Sequence, residues 1–448
     1  MEGYNREFGA EGIMTRPGHN LPPDYAKSLE LLQRAEHAIP AQTQTFSKGW
    51  TQYPRGAAPV FAVKADGGHL WDADGNEYID WPMALGPLLL GHNHPAVNQA
   101  VRRQLDDGIA FSLPTKGELE LAERLIEWFP YAERARFGKN GSDATSGAVR
   151  AARAATGRDI VLCCGYHGWQ DWFIGTTTRN AGVPRAVREL TIAFPYNDAD
   201  RLAQLLDQHR GAVAAIIMEP MGLIEPMPGY LERVRALATA HGAILIFDEC
   251  WTGFRIHRQG AFGKFGIAPD LACFGKALGN GVPISVIVGR AEVMDMFNEI
   301  FFSFTFGGDM LGIAAAGAVL DVLQREPVLE DVAAIGSRLV AGMHELIATH
   351  ELGDFLSVAG YSARHFLLFR NDGADGLLLK SVYQQEALRG GILAAGWHAP
   401  SWAHDDGDVT RTLVVYDQVF GRLRSWISQD RLADALKGDR VLPVFRAP

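Results

Sequence analysis

The sequence predicts an α/β protein built on a mostly parallel sheet, and two observations carry that expectation. Short apolar or β-branched runs recur through the middle of the chain, and helical patterns separate several of them. With 448 residues, 47% of them hydrophobic, the chain is also long enough to bury a large core and to form one large domain with a smaller one.

Taken in order, residues 1 to about 25 are rich in Gly, Pro and Asn and read as an irregular arm. Val60-Phe-Ala-Val-Lys64 and the segment 69–80 follow, the latter broken by the Asp74-Gly75 turn signal, which predicts an antiparallel element outside the main sheet. Buried strands are expected at 159–164, 212–218, 243–247, 271–274 and 284–288. A helix over 230–241 places Leu231, Val234, Leu237 and Ala238 on one face. This alternation implies helices covering a parallel sheet. Beyond Pro327 come helices and a mixed region. The expected division is an arm and part of a small domain over 1–90, a large domain over 91–325 and the rest of the small domain over 326–448.

Composition narrows the function classes. Forty-two Lys and Arg against 52 Asp and Glu give a net charge of −10, with no basic run to follow a phosphate backbone, so nucleic acid is not an expected partner. Four cysteines, two of them adjacent at Cys163 and Cys164, cannot make a disulfide framework and suggest a reducing compartment. No apolar stretch reaches the roughly 18 residues of a spanning helix, and the first residues form no apolar leader. A soluble cytoplasmic protein is expected.

The chemistry is read from two strand ends. Asp248 follows the apolar Ile244-Leu-Ile-Phe, and Lys276 follows Leu271-Ala-Cys-Phe-Gly. A lysine and an aspartate at the ends of buried strands suit pyridoxal phosphate, because an amine must form a Schiff base while a carboxylate keeps the pyridine nitrogen protonated. The bland alternative for Asp248 is a loop cap or an ion pair with Arg255. Upstream, Asn140-Gly-Ser-Asp-Ala144 opens an Ala-rich helix. Gly141 permits close backbone approach, Ser142 can cap, and the free amides make an anion site suited to a phosphate. Tyr166-His-Gly168 follows a strand end, where a ring could stack on a flat ligand or merely pack. His92 and His94 lack accompanying carboxylates or cysteines and read as a turn, so no metal is expected. Dinucleotide, ATP-loop and Gly-x-Ser-x-Gly motifs are missing.

Leu70-Trp-Asp-Ala-Asp-Gly-Asn-Glu-Tyr-Ile-Asp80, Gly91-His-Asn-His-Pro95, Asn140-Gly-Ser-Asp-Ala144, Met218-Glu-Pro220, Asp248-Glu-Cys-Trp-Thr-Gly-Phe-Arg255 and Phe274-Gly-Lys-Ala-Leu-Gly-Asn-Gly281 together resemble the class III aminotransferases of fold type I, especially the group around glutamate-1-semialdehyde 2,1-aminomutase. The likeness spans 60–318 and continues more weakly to the C-terminus. It implies Lys276 as the Schiff-base lysine, Asp248 at the pyridine nitrogen, Tyr166 and Cys250 on opposite ring faces, and Gly141 and Ser142 at the phosphate. Thr305 would reach the phosphate from a neighbouring subunit, making the active unit a homodimer with a shared site.

Two departures from that pattern bear on substrate. Lys48 stands where the aminomutase pattern has an arginine, and lysine lacks the planar fork that grips a carboxylate. The stretch 218–226 lacks the asparagine expected at the cofactor's phenolic oxygen, leaving Glu219 as a candidate. Segments 42–48, 194–198 and 301–309 resemble the branch linked to sugar, polysaccharide or aminoglycoside pathways. Trp397, His398 and Trp402 could suit a hydroxylated ring, or could simply pack. The expectation is a transaminase acting on a keto or aldehyde sugar or cyclitol. The alternatives are an aminomutase, an epimerase or dehydratase, and a non-catalytic paralogue acting as a subunit.

Overall fold

A computed structural model describes residues 24–370 and 375–443. The expected arm therefore lies outside the described residues except at its end, where Tyr25 has no regular secondary structure but is buried against Ala58, Tyr78 and Leu388.

Among the described residues, fourteen strands form three sheets. The first is built from β1 (Ala62–Asp66), β2 (His69–Asp72) and β3 (Glu77–Asp80). The main sheet contains β4 (Arg134–Gly138), β5 (Ile160–Cys164), β6 (Thr191–Ala193), β7 (Val213–Met218), β8 (Ile244–Asp248), β9 (Leu271–Phe274) and β10 (Ser285–Gly289). Its order is β4-β10-β9-β8-β7-β5-β6. Neighbours from β9 to β6 run parallel, and β10 runs antiparallel to both β9 and β4.

The centre of this sheet is covered on both faces, which explains its uninterrupted apolar runs. Along β7, Ala215 and Ile217 face one cluster, with Ala144, Ala148 and Ala152 of the helix Gly141–Thr156. Ile216 and Met218 face the other, with Val234 of the helix Tyr230–His241. The same alternation runs along β8, β9 and β10, as the two-residue repeat of a strand requires. All five expected strands are present, but β4 and β6 were not anticipated. Arg134 and Arg136 make β4 look polar, as suits the solvated edge of a sheet. β6 is only three residues long.

The expected antiparallel element forms outside the main sheet. Asp72 stabilises its turn by accepting from the amides of Asp74 and Asn76 at 3.0 and 2.7 Å, and Gly75 adopts a φ of 85°. A strand from the far end of the chain, β13 (Ile392–Leu393), pairs parallel with β3 through Ile392 and Ile79. That pairing carries Ile79 and Trp81 into a core with Leu339, Leu379, Tyr383 and Phe420. The third sheet joins β11 (Leu356–Tyr361), β12 (Arg364–Phe369) and β14 (Trp397–His398), which resolves the region expected only to be mixed. None of the described helices is long and apolar enough to cross a membrane.

Candidate active site

Asp248 ends β8 and is 3% exposed. A buried carboxylate needs donors, and it finds two. His167 Nδ1 lies 2.9 Å from Oδ2, and the Cys250 amide donates to Oδ1 at 3.1 Å. Because the carboxylate can only accept, Nδ1 carries the hydrogen. Burial pushes the Asp248 pKa up, but the hydrogen bond and charge of His167, followed by Lys276 and the Cys250 amide, outweigh it and hold the group below its ordinary value. The alternative pairing with Arg255 does not occur. Arg255 instead donates to the carbonyls of Ala363, Pro400 and Gly86.

Lys276 follows the neighbouring strand β9, so its backbone and that of Asp248 emerge at the same carboxyl edge of the sheet. Its φ is 40°, a left-handed geometry that a β-carbon disfavours by roughly 1–2 kcal/mol. The ammonium sits 4.6 Å from the centre of the Trp251 ring. Burial lowers the Lys276 pKa and Arg364 acts in the same direction, against Cys250, Asp248 and Glu219. The amine is thus easier to deprotonate than a surface lysine.

The helix Gly141–Thr156 points its N-terminus at this edge. Its cap differs from expectation: Asn140 is the N-cap, and the Asp143 carboxylate accepts from the amides of Asn140 and Lys139 at 2.7 and 3.1 Å. Ser142 lies in the first turn and does not cap. The amides of Gly141 and Ser142 precede the first intrahelical bonds and are available to an anion. A β-carbon on Gly141 would come 2.7 Å from Cys250 Sγ, so glycine is what lets helix and strand end meet. Gly168 (φ 112°) likewise brings its loop against Ser142, and Thr145 ties that loop down by donating to the His167 carbonyl at 2.7 Å. Tyr166 is 51% exposed, its ring edge-on to Phe173.

A cavity of about 740 Å³ joins Lys276, Tyr166, Trp251, Arg364 and Trp397. Other residues singled out from sequence lie elsewhere. Lys48 faces a neighbouring cavity, and Trp402 packs half-buried against the main core while donating to Asp331 at 2.9 Å. His398 is buried against Tyr416. Only Trp397 of that aromatic segment reaches the Lys276 cavity. Thr305 is exposed in a turn. Glu219 follows β7, and its Oε2 accepts from the Tyr166 amide at 3.3 Å.

Over residues 52–360 the chain matches the family described as aminotransferase class-III. It belongs to the class III aminotransferases. Among relatives, it is 40% identical over 332 residues to the glutamate-1-semialdehyde 2,1-aminomutase of Halobacterium salinarum, covering 70% of this chain and 74% of that one. It is 34% identical over 400 residues to the 3-aminobutyryl-CoA aminotransferase of Cloacimonas acidaminovorans, covering 87% and 95%. The fold matches that of the PLP-containing FumI protein from Sphingopyxis sp. MTA144 with a TM-score of 0.84 and 31% identity, covering 90% of this chain and 98% of that one. An omega-transaminase from Sphaerobacter thermophilus matches at 0.79 and 28%, covering 90% and 98%.

The cofactor of this class III aminotransferase is pyridoxal 5'-phosphate, and the residues at the sheet edge fit it. Among the described residues no lysine or arginine is bonded to the buried Asp248 carboxylate, which suits a protonated ring nitrogen. The open amides of Gly141 and Ser142 suit the phosphate, and the Lys276 amine suits the aldehyde. Three residues of this aminotransferase site were missed from sequence: His167 behind Asp248, Trp251 beside Lys276, and Arg364. His167 left a faint signal as a histidine just past a strand end. Arg364 left none.

Proposed function

We propose that this class III aminotransferase moves an amino group from an amino acid to a keto or aldehyde sugar or cyclitol, with Lys276 and Asp248 as its catalytic residues. One observation carries the catalytic assignment: the two residues end adjacent parallel strands and lie beside the same helix N-terminus. Bound pyridoxal phosphate supplies an aldehyde for the amine and a ring that accepts electron density.

The protein's own groups do the rest. Asp248, oriented by His167, holds a proton at the ring nitrogen. The Gly141 and Ser142 amides, with the Ser142 hydroxyl, hold the phosphate. Tyr166 and Cys250 would hold the cofactor ring between them. Lys276 Nζ would take up and hold the proton released from the carbon bearing the substrate amine. Its lowered pKa favours that role. Trp251 and Trp397 wall the cavity against water. Gln44, Thr45, Ser47 and Asp171 line the same cavity and support a hydroxylated acceptor.

The active unit we propose is a homodimer in which Thr305 reaches the partner's phosphate. Its support is the exposed apolar surface around that turn, where Phe301 is 79% and Phe306 61% exposed, next to Leu119 at 58%. Such a patch suits a second copy of the chain.

A second reading, the aminomutase, draws on the 40% identity to relatives of that name. Purified enzyme offered amino acid donors with keto-sugars or cyclitols, and separately glutamate-1-semialdehyde, decides between them. Amino sugar or aminocyclitol formation is expected. Efficient production of 5-aminolevulinate with no sugar product would overturn the acceptor assignment.

A further inference from the structure

Behind the Lys276 cavity lies another, of about 360 Å³, that the site described above does not use. Phe366 and Trp397, paired across β12 and β14, separate the two, since both residues line each cavity. Phe369, Leu377 and Ala395 make the far walls apolar, with one exception. Lys380, near the start of the helix Gly376–Arg389, reaches in among them. Among the described residues that line this cavity, Lys380 alone is charged.

The lysine lies along a wall that is glycine for a reason. Gly396 has a φ of 82°, and a β-carbon there would come 3.3 Å from Lys380 Cε and 3.4 Å from the Phe369 ring. No hydrogen bond or ion pair joins the half-buried Lys380 ammonium to any of the described residues. Burial lowers its pKa, and no neighbouring carboxylate opposes the shift. Other lysines differ: Lys139 pairs with Asp309, Lys264 with Glu225 at 2.8 Å and Lys116 with Glu120 at 2.7 Å. A partly desolvated cation without a counter-ion is stabilised by an anion. Apolar walls favour an anion that also carries hydrocarbon. A neutral amphiphile would leave the ammonium unpaired, and a dianion would bring more charge than one lysine neutralises.

We propose that this cavity is an effector site, separate from the catalytic one, for a small monocarboxylate with an apolar body whose carboxylate rests on Lys380. Lysine is a point charge and imposes no planar fork on its partner, so the apolar body sets the fit. An occupant packs on Trp397, which meets Trp251 edge-on at 5.7 Å, and Trp251 in turn lies 4.6 Å from the Lys276 ammonium. Occupancy therefore bears on the cofactor lysine through two aromatic rings. The inference does not depend on which acceptor the enzyme uses.

The test is calorimetry on holoenzyme with butyrate, hexanoate and hexan-1-ol, using wild type, Lys380→Met, Lys380→Arg and Leu377→Trp, each checked for cofactor content and Tm. Wild type should bind hexanoate, with affinity rising up to about fourfold for each methylene beyond butyrate. Hexan-1-ol should bind more weakly. Lys380→Met should weaken hexanoate about 10- to 100-fold, while Lys380→Arg keeps most of the affinity. Leu377→Trp keeps the charge but should also lose the ligand, because its indole fills the cavity on the side away from Lys276. The circular dichroism of the bound cofactor reads the effect at Lys276, and hexanoate should change it in wild type but not in Lys380→Met. No binding to wild type, undiminished binding to Lys380→Met, equal binding of hexan-1-ol, or no dichroism change in wild type overturns the proposal. A dichroism change that persists in Lys380→Met would place the carboxylate in the Lys276 cavity and overturn it as well.

Discussion

At the scale of single residues, the site depends on two groups whose proton affinities are displaced by their surroundings. Lys276→Ala is expected to lower turnover at least about 1,000-fold, since it removes both the amine that joins the cofactor and the base. The fold should persist, and borohydride should fix the cofactor on Lys276 in the native protein. A labelled peptide containing Lys264 or Lys139 instead would overturn the assignment. Asp248→Asn should cut kcat roughly 100- to 1,000-fold, because a neutral amide cannot hold the ring nitrogen protonated. Near-normal rates would show that another acid does so. The folded Asp248 pKa is depressed, so its ionised form persists below the ordinary carboxylate range and its titration should not limit activity near neutrality.

At the scale of elements, the meeting of a helix N-terminus with two strand ends sets the geometry. Gly141→Ala places a methyl 2.7 Å from Cys250 Sγ but 3.6 Å from Cys250 Cβ. The single variant should therefore weaken cofactor retention, and adding Cys250→Ala should restore most of it. Equilibrium dialysis of the cofactor checks this, and an equal loss in the double variant would place the cause elsewhere. The same helix shows how far local sequence reading reaches. Asn140 and Asp143 form a cap three residues apart, a pattern that the neighbouring hydroxyl of Ser142 masks in the sequence. Edge strand β4 is not legible in the sequence because its two arginines hide its pairing. By contrast β7, β8 and β9 were legible because burial on both faces leaves only apolar residues along them.

For the whole molecule, the C-terminal core carries a pH liability. Burial pushes His365 and His404 down to about 4 and holds His398 well below its ordinary value. His365 stacks on His398, Tyr416 bonds His398, and Trp81 stacks on His404, with Asp408 and Asp80 opposing the shift at His404. In the unfolded chain these imidazoles titrate near 6.5, so below that pH the unfolded state binds protons that the folded state does not. Stability should fall from pH 6.5 to about 4 by an amount on the order of a few kcal/mol. A Tm unchanged between pH 7 and 4.5 would falsify this. Assembly is testable on the same scale. Mixing Thr305→Ala with Lys276→Ala protein should recover part of the activity through heterodimers with one intact site. No recovery under proven subunit exchange would rule out a shared site.

The sequence by itself determined the sheet, the cofactor chemistry and the positions of Lys276, Asp248, Gly141, Ser142 and Tyr166, because each sits at a strand or helix end whose pattern is local. Only the tertiary structure decided their partners. His167 reaches Asp248 from the end of β5, Trp251 lies beneath Lys276, and Arg364 arrives from a sheet assembled far along the chain. Lys48, which stands where the aminomutase pattern has an arginine, and Trp402, which could suit a hydroxylated ring, both lie outside the Lys276 cavity. The physical reason is the same throughout. Periodicity and turn chemistry fix what a segment becomes, but the direction of a side chain and the group it meets depend on how distant segments pack.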